Sequence, residues 1–198
     1  MHYITDILYW ISTGLLVPVV VLLIYFFLRS LVLLGGWFGH FLDIHRVQGK
    51  VDSALAGLDQ DGLDALTAHL PKSRLASVAA LRAILESPSQ AHVEKQLADF
   101  ELTVDRDTAP ARTLSKMGPM LGLMGTLIPM GPALVGLSTG DIASMAYNMQ
   151  VAFATTVIGL FSAAVGFIVL QTKQRWYRRD RNNLEFVANL WEQKHAVQ

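Results

Sequence analysis

The sequence predicts an all-α integral membrane protein with three transmembrane helices. Of its 198 residues, 52% are hydrophobic and only 16% are charged, against a usual charged share of about 25%. The charged residues leave three gaps, of 22, 24 and 31 residues, at positions 7–28, 117–140 and 142–172. Each gap exceeds the roughly 20 helical residues that cross a bilayer core. The gaps do not alternate in polarity as barrel strands would, so helices are expected.

Composition also excludes several classes of function. The 16 basic and 16 acidic residues cancel, so no basic excess points to nucleic acid. The chain has no cysteine, which removes disulfides, thiolate metal sites and cysteine nucleophiles. No nucleotide-binding loop or metal-ligand cluster occurs, and the six histidines are scattered. We therefore expect no enzyme, because no nucleophile–base pair can form at membrane depth, and no cofactor.

The first span, with its flanks at 1–39, is expected to remain as an anchor. Residues 1–6 contain no Lys or Arg, and the apolar run is too long for a signal peptide. Basic residues flank the spans on one side only, so the positive-inside rule places the N-terminus outside and the C-terminus in the cytoplasm. Interfacial side chains are expected at Arg29, Trp176, Tyr177, Arg178 and Arg179.

The remaining chain divides into five segments. They are a cytoplasmic helical segment (40–112), the second span (113–140), a short outer loop (141–150), the third span (151–172) and a cytoplasmic C-terminal helix (173–198). Apolar spacing in the cytoplasmic segment predicts short helices broken at Gly62 and Pro71. After these, the spacing predicts a helix with one apolar face, and this helix ends at the stretch from Ser87 to Ser89.

Small residues and prolines distinguish the second and third spans from simple lipid anchors. Glycines at helical spacing let two helix backbones approach closely, and prolines free backbone carbonyls. These residues are expected to pack helices and to line a pore: Gly118, Pro119, Gly122, Gly125, Pro129, Gly131, Pro132, Ala152, Gly159, Ala163 and Gly166.

Two stretches resemble the signatures of the MotA/TolQ/ExbB proton channel family. Residues 119–126 are similar to the P-L-L-G-L-L-G-T pattern of the ExbB and TolQ branch. Thr156, Gly159 and Leu160 fall on the second pattern, A-L-x-x-T-x-x-G-L, and the three-span layout agrees. Val151 stands where that branch often has glutamate, and 163–166 lack its proline, which indicates a divergent member.

The resemblance implies a ring, typically a pentamer, in the inner membrane around a dimer of one-span partners. Such partners are similar to ExbD, TolR or MotB and carry a membrane aspartate. The family match makes Thr126 and Thr156 the expected ion-path residues, with Thr155 as the runner-up. Spans two and three hold no titratable side chain, so the carboxylate must come from the partner. The transported ion is expected to be a proton, although hydroxyls and carbonyls suit sodium as well.

The resemblance also implies that the ring is the ion-conducting subunit of a motor, which couples ion flow to work in the cell envelope. Two alternatives to this function stay open on the sequence. One is a helical scaffold that stabilises a partner without conducting ions. The other is a subunit of a small-molecule transporter, although the internal repeats of carriers do not occur.

Overall fold

The computed structural model describes residues 2–55, 63, 66 and 75–196. Five helices have both ends within these described ranges. They are α1 (His2–Gly14), α2 (Leu16–Leu55), α3 (Ala76–Leu85), α4 (Gln90–Thr139) and α5 (Ile142–Ala196). The helices form two compact units. The first comprises Met1–Gly35 and Pro110–Leu170, and the second comprises Gly36–Ala109 and Gln171–Gln198.

Three helical stretches are long and apolar enough to cross a membrane, as the sequence predicts. They are Tyr9–Gly39, Gln90–Thr139 and Ile142–His195. Helices α4 and α5 have 50 and 55 residues, more than twice the roughly 20 that a bilayer core requires. Both helices therefore continue well beyond the length of a span.

The first span is divided between α1 and α2 at Leu15. Pro18 explains this break, because its ring conflicts with the carbonyl four residues earlier, at Gly14, and it has no N–H to donate. The backbone N–H of Leu15 donates to the carbonyl of Ile11 at 3.1 Å, and that of Val19 donates to Leu15 at 3.1 Å. The chain thus keeps its helical direction across the break.

The expected outer loop at 141–150 is wrong, because α5 already begins at Ile142. Only Gly140 and Asp141 separate α4 from α5. Gly140 has φ +77°, which suits glycine after a helix end, and its N–H donates to Leu137. The N–H of Asp141 donates to the Gly136 carbonyl at 2.8 Å, while its carboxylate accepts from the N–H of Ser144 at 3.0 Å. One residue therefore completes the end of α4 and caps α5.

In the first unit, α2 packs on the α4–α5 pair through aliphatic and aromatic side chains. Val19, Leu23 and Leu121 form a buried cluster, against which Phe26, Ile128 and Ile158 pack. The rings of Phe27 and Phe161 add a contact between α2 and α5, with centroids 5.6 Å apart.

The second unit has a larger apolar core, drawn from every helix that enters it. Its buried members are Val51, Leu55, Leu63, Leu66, Val78, Ala80, Leu81, Ile84, Val93, Phe100, Leu184, Val187, Ala188 and Trp191. The predicted apolar face of α3 is confirmed, and Ser87 to Ser89 separate α3 from α4. The predicted breaks at Gly62 and Pro71 lie outside the described residues.

Candidate functional site

The small residues of the second and third spans meet in a close seam between α4 and α5 of the same chain. A Cβ atom added at Gly118 would lie 2.8 Å from the carbonyl oxygen of Gly159 and 3.1 Å from the Cβ of Ala163. One added at Gly166 would lie 2.8 Å from the Cβ of Leu114. These backbones touch only because the side chains are hydrogen atoms, so the glycines bring α4 and α5 together within one protomer.

Further along the seam, α4 approaches the threonine pair of α5. A Cβ at Gly122 would lie 3.7 Å from the Cα of Thr156, which is ordinary van der Waals contact. One at Gly125 would lie 2.6 Å from the Cβ of Thr155. Thr155 is buried and fills the space that Gly125 leaves, whereas Thr156 is half-buried at the edge of the seam.

Thr126 borders the same seam from the α4 side. It follows Gly122 by four residues, so it lies one turn further along nearly the same helix face. Its side chain is half-buried, like that of Thr156. The two ion-path threonines expected from the sequence are thus both on the edge of one helix pair, and Thr155 is inside it.

All three hydroxyls donate within their own helices. Thr126 Oγ1 donates to the Leu123 carbonyl at 2.7 Å, and Thr156 Oγ1 donates to the Ala152 carbonyl at 2.9 Å. Thr155 Oγ1 lies within hydrogen-bond distance of the Val151 and Ala152 carbonyls, at 3.0 and 2.9 Å. A hydroxyl whose proton is engaged still has oxygen lone pairs, so each threonine can accept another hydrogen bond.

Helix α4 continues through four prolines, at positions 110, 119, 129 and 132. Each proline lacks the N–H that would donate to the carbonyl four residues before it. In the second span the carbonyls concerned are those of Ser115, Gly125 and Ile128. The helix therefore offers backbone acceptors at membrane depth, next to the seam.

The expected interfacial residues have specific contacts. Arg29 Nη1 donates to the hydroxyl of Tyr25 at 2.6 Å, four residues earlier on α2. The ring of Trp176 packs on that of Phe41, with centroids 5.8 Å apart. The side chains of Arg178 and Arg179 are exposed on α5. Basic and aromatic side chains are typical of the headgroup region of a membrane.

Periodicity did not identify a polar cluster in the second unit, because its members are far apart in the chain. Lys173 Nζ lies 2.7 Å from Asp107 Oδ2, and the hydroxyl of Tyr177 donates to the same oxygen at 2.6 Å. Lys173 is buried, with 8% of its surface exposed. Burial, and then the hydrogen bond to Asp107 and its negative charge, raise the pKa of Tyr177 well above its usual range. The phenol is therefore held as a neutral hydrogen-bond donor.

Comparison with known proteins identifies the family. The family model described as the MotA/TolQ/ExbB proton channel family matches residues 69–185, which include the seam and all three threonines. No curated protein matches the chain. Members of this family are membrane transport proteins rather than typical enzymes, and they form oligomers with one-span partners. With more than half of its length matched and three helices able to span a bilayer, this multi-pass membrane protein belongs to the MotA/TolQ/ExbB proton channel family.

Proposed function

We propose that the chain is the ion-conducting subunit of an energy-transducing motor in the inner membrane. Several copies form a ring around two one-span partner helices, each of which carries an aspartate. Protons cross the membrane between ring and partner, and the resulting movement does work in the cell envelope. The observation that carries this proposal is the family match over the helix pair that presents Thr126 and Thr156 at its edge.

The hydrogen bonds of the threonines give the ring a preference between the two forms of the partner's carboxyl. Thr126 and Thr156 have both engaged their protons with backbone carbonyls. Each can therefore accept a hydrogen bond without first breaking one. A protonated carboxyl has an O–H to donate, whereas a carboxylate can only accept. The threonine edge thus favours the protonated aspartate, and a wet, polar site elsewhere on its path favours the ionised form.

The different roles proposed for this chain and its partner follow from which side chains can gain and lose a proton. Positions 117–140 and 142–172 contain no Asp, Glu, Lys, Arg or His. Hydroxyls and carbonyls line and hydrate a path but do not gain and lose protons near neutral pH. The group that switches charge inside the membrane must then belong to the partner, which explains why the proposed conductor needs two kinds of chain.

Ion flux in proteoliposomes tests the proposal. The chain is reconstituted alone and with its one-span, aspartate-bearing partner, under opposed proton and sodium gradients. We expect flux only with the partner, and we expect it to stop when the partner's aspartate becomes asparagine, since the amide cannot release a proton. The gradient that drives the flux identifies the ion.

An assembled complex that passes neither ion would overturn the proposal. That result would favour a scaffold that stabilises its partner without conduction. Flux through the chain alone would also contradict it, because the carboxylate would then be unnecessary.

A further inference from the structure

Five basic side chains follow the charge-free run of the third span on α5, and their contacts divide them into two groups. They are Lys173, Arg175, Arg178, Arg179 and Arg181. Lys173 Nζ lies 2.7 Å from Asp107 Oδ2. Arg181 lies 3.1 Å from a carboxylate oxygen of Glu101 and 2.8 Å from one of Glu185. The charges of Lys173 and Arg181 are therefore already balanced by carboxylates of the second unit.

Arg175 and Arg178, here called the arginine pair, are exposed, and their charges are not balanced in this way. Within the part of the chain that the structure describes, neither forms an ion pair with a carboxylate. The two residues are three positions apart, so they are neighbours on one side of the helix. Arg178 Nε donates to the Gln174 carbonyl at 3.2 Å, one turn back toward the third span. The side chain of Arg178 is thus directed toward the span, and its two Nη atoms are available to a further acceptor.

The arginine pair lies where the headgroups on one side of a bilayer are expected. The charge-free run at 142–172 is about 46 Å long at 1.5 Å per residue. A bilayer with both headgroup layers is about 40–45 Å thick, so this run accounts for its full thickness. Arg175 and Arg178 come after the run by three and six residues, which is about 4.5 and 9 Å along the helix. Arginine side chains bridge such distances by extending toward the headgroups, which is the direction that Arg178 takes.

Aromatic side chains of α2 and α5 mark the same level of the second unit. The ring of Trp176 packs on that of Phe41, with centroids 5.8 Å apart, and Phe41 packs on Trp37 at 5.6 Å. Phe38, three residues before Phe41, has 61% of its surface exposed, which suits a lipid environment. Tryptophan is typical of the boundary between hydrocarbon and headgroups. The surface of the second unit thus changes from apolar to basic near Trp176.

We propose that the arginine pair binds the phosphate of an anionic phospholipid, so that the chain selects such lipids at this end of its third span. A guanidinium offers a planar set of N–H donors that match the oxygens of a phosphate. Phosphatidylcholine also has a phosphate, but its choline group cancels the charge. A lipid such as phosphatidylglycerol keeps a net negative charge, which complements two cations without carboxylate partners among the described residues. The site requires neither the ring nor the ion path of the proposed function.

Lipid titration of the full chain tests the proposal. Phosphatidylglycerol or phosphatidylcholine with identical acyl chains is added to the delipidated protein in a neutral detergent, and native mass spectrometry counts the bound lipids. We expect the natural chain to prefer phosphatidylglycerol, and we expect this preference to fall as the ionic strength rises, because the arginine pair is exposed. A basic residue near an anionic surface strengthens binding about fivefold, so Arg175→Gln and Arg178→Gln should each lower the affinity for phosphatidylglycerol by about that factor. The double variant should lower it about 25-fold and leave the binding of phosphatidylcholine unchanged.

Arg181→Gln is the matched control. It removes the same charge from the same helix, but the guanidinium of Arg181 is already engaged by Glu101 and Glu185. We expect its affinity for phosphatidylglycerol to stay close to that of the natural chain. Glutamine is a good helix former, so the helix content measured by circular dichroism should be the same in all these variants. Arg175→Lys and Arg178→Lys should retain most of the affinity, because lysine keeps the charge.

Equal affinity of the natural chain for the two lipids would overturn the proposal. An equal loss of affinity in Arg175→Gln and Arg181→Gln would also overturn it, because net charge rather than a site would then set the affinity. Unchanged lipid binding together with fewer copies per complex would assign the arginine pair to carboxylates of a neighbouring copy instead. The measurement uses no partner and no ion gradient. A chain that binds the lipid but never conducts therefore loses only the proposed function, and a chain that conducts without the lipid preference loses only this site.

Discussion

At the scale of single residues, neighbouring threonines on α5 have different surroundings. Thr155 is 5% exposed and packed against Gly125, whereas Thr156 is half-buried at the seam edge. We expect Thr126→Val and Thr156→Val to lower partner-dependent flux about tenfold or more, because each removes the acceptor of the hydrogen bond proposed for the partner's protonated carboxyl. Serine at either position should restore flux, since it retains the hydroxyl.

Thr155→Val is the matched control for that pair. Its hydroxyl faces carbonyls of its own helix inside the seam, so flux should stay near the level of the natural chain. Flux lost in Thr155→Val and kept in Thr156→Val, measured in equally assembled complexes, would reverse the two assignments.

Tyr177 makes the stability of the second unit depend on pH in the alkaline range. Its pKa is raised by burial and by Asp107, so the folded chain holds the phenol proton more tightly than the unfolded chain does. The stabilisation is complete below the ordinary tyrosine pKa of about 10 and is lost as pH rises toward the folded value. We expect the difference in thermal unfolding midpoint between the natural chain and Tyr177→Phe to shrink above about pH 10. A difference that stays constant from neutral to strongly alkaline pH would contradict this account.

At the scale of elements, the α4–α5 seam depends on glycine at Gly159. A Cβ there would lie 2.7 Å from the carbonyl oxygen of Gly118 and 2.8 Å from the Cα of Gly122, both backbone atoms that cannot rotate away. We expect Gly159→Ala to destabilise the helix pair by about 1–3 kcal/mol, measured by denaturation in detergent. Gly35→Ala is the control, since nothing lies within 4 Å of a Cβ on Gly35. Equal stability of the two variants would contradict this prediction, because α4 and α5 could then move apart at the seam without loss of stability.

Most helices could be predicted from the sequence, because their signals are local. Long uncharged runs mark the spans, and the 3.6-residue spacing of Val78, Leu81 and Ile84 marks α3. The predicted loop at 141–150 was wrong, because the polar residues near Asp141 resemble a loop. Two residues are enough to reverse the chain there.

The candidate site was predictable only in part. The glycines and threonines follow from the motifs, but which threonine lies inside the seam depends on the rotation of α5 against α4. Asp107 and Lys173 are 66 residues apart, so no local pattern connects them. Lys173 has the positive charge expected on the cytoplasmic side of the membrane. Its side chain, however, is buried against Asp107 rather than extended into water.

At the scale of the whole molecule, the helices of the first unit leave much apolar surface uncovered. Leu123, Leu127, Phe153, Val157 and Leu160 are each more than half exposed. Lipid covers part of such a surface, and neighbouring copies cover the rest if the chain forms the proposed ring. We expect native mass spectrometry of the detergent-solubilised complex to show five copies of this chain with two of the partner. A stable one-to-one complex would contradict the ring while leaving the membership of the family intact.

The brevity of the α4–α5 turn has a consequence for biogenesis. In the orientation that the basic residues predict, only Gly140 and Asp141 between the two helices cross the bilayer, with a single ionisable group. The uncharged stretches 117–140 and 142–172 already pack backbone against backbone, and the turn between them exposes no long polar loop during passage. We expect them to leave the translocation machinery as one preformed hairpin, so that the helix pair is folded before the chain meets its neighbours.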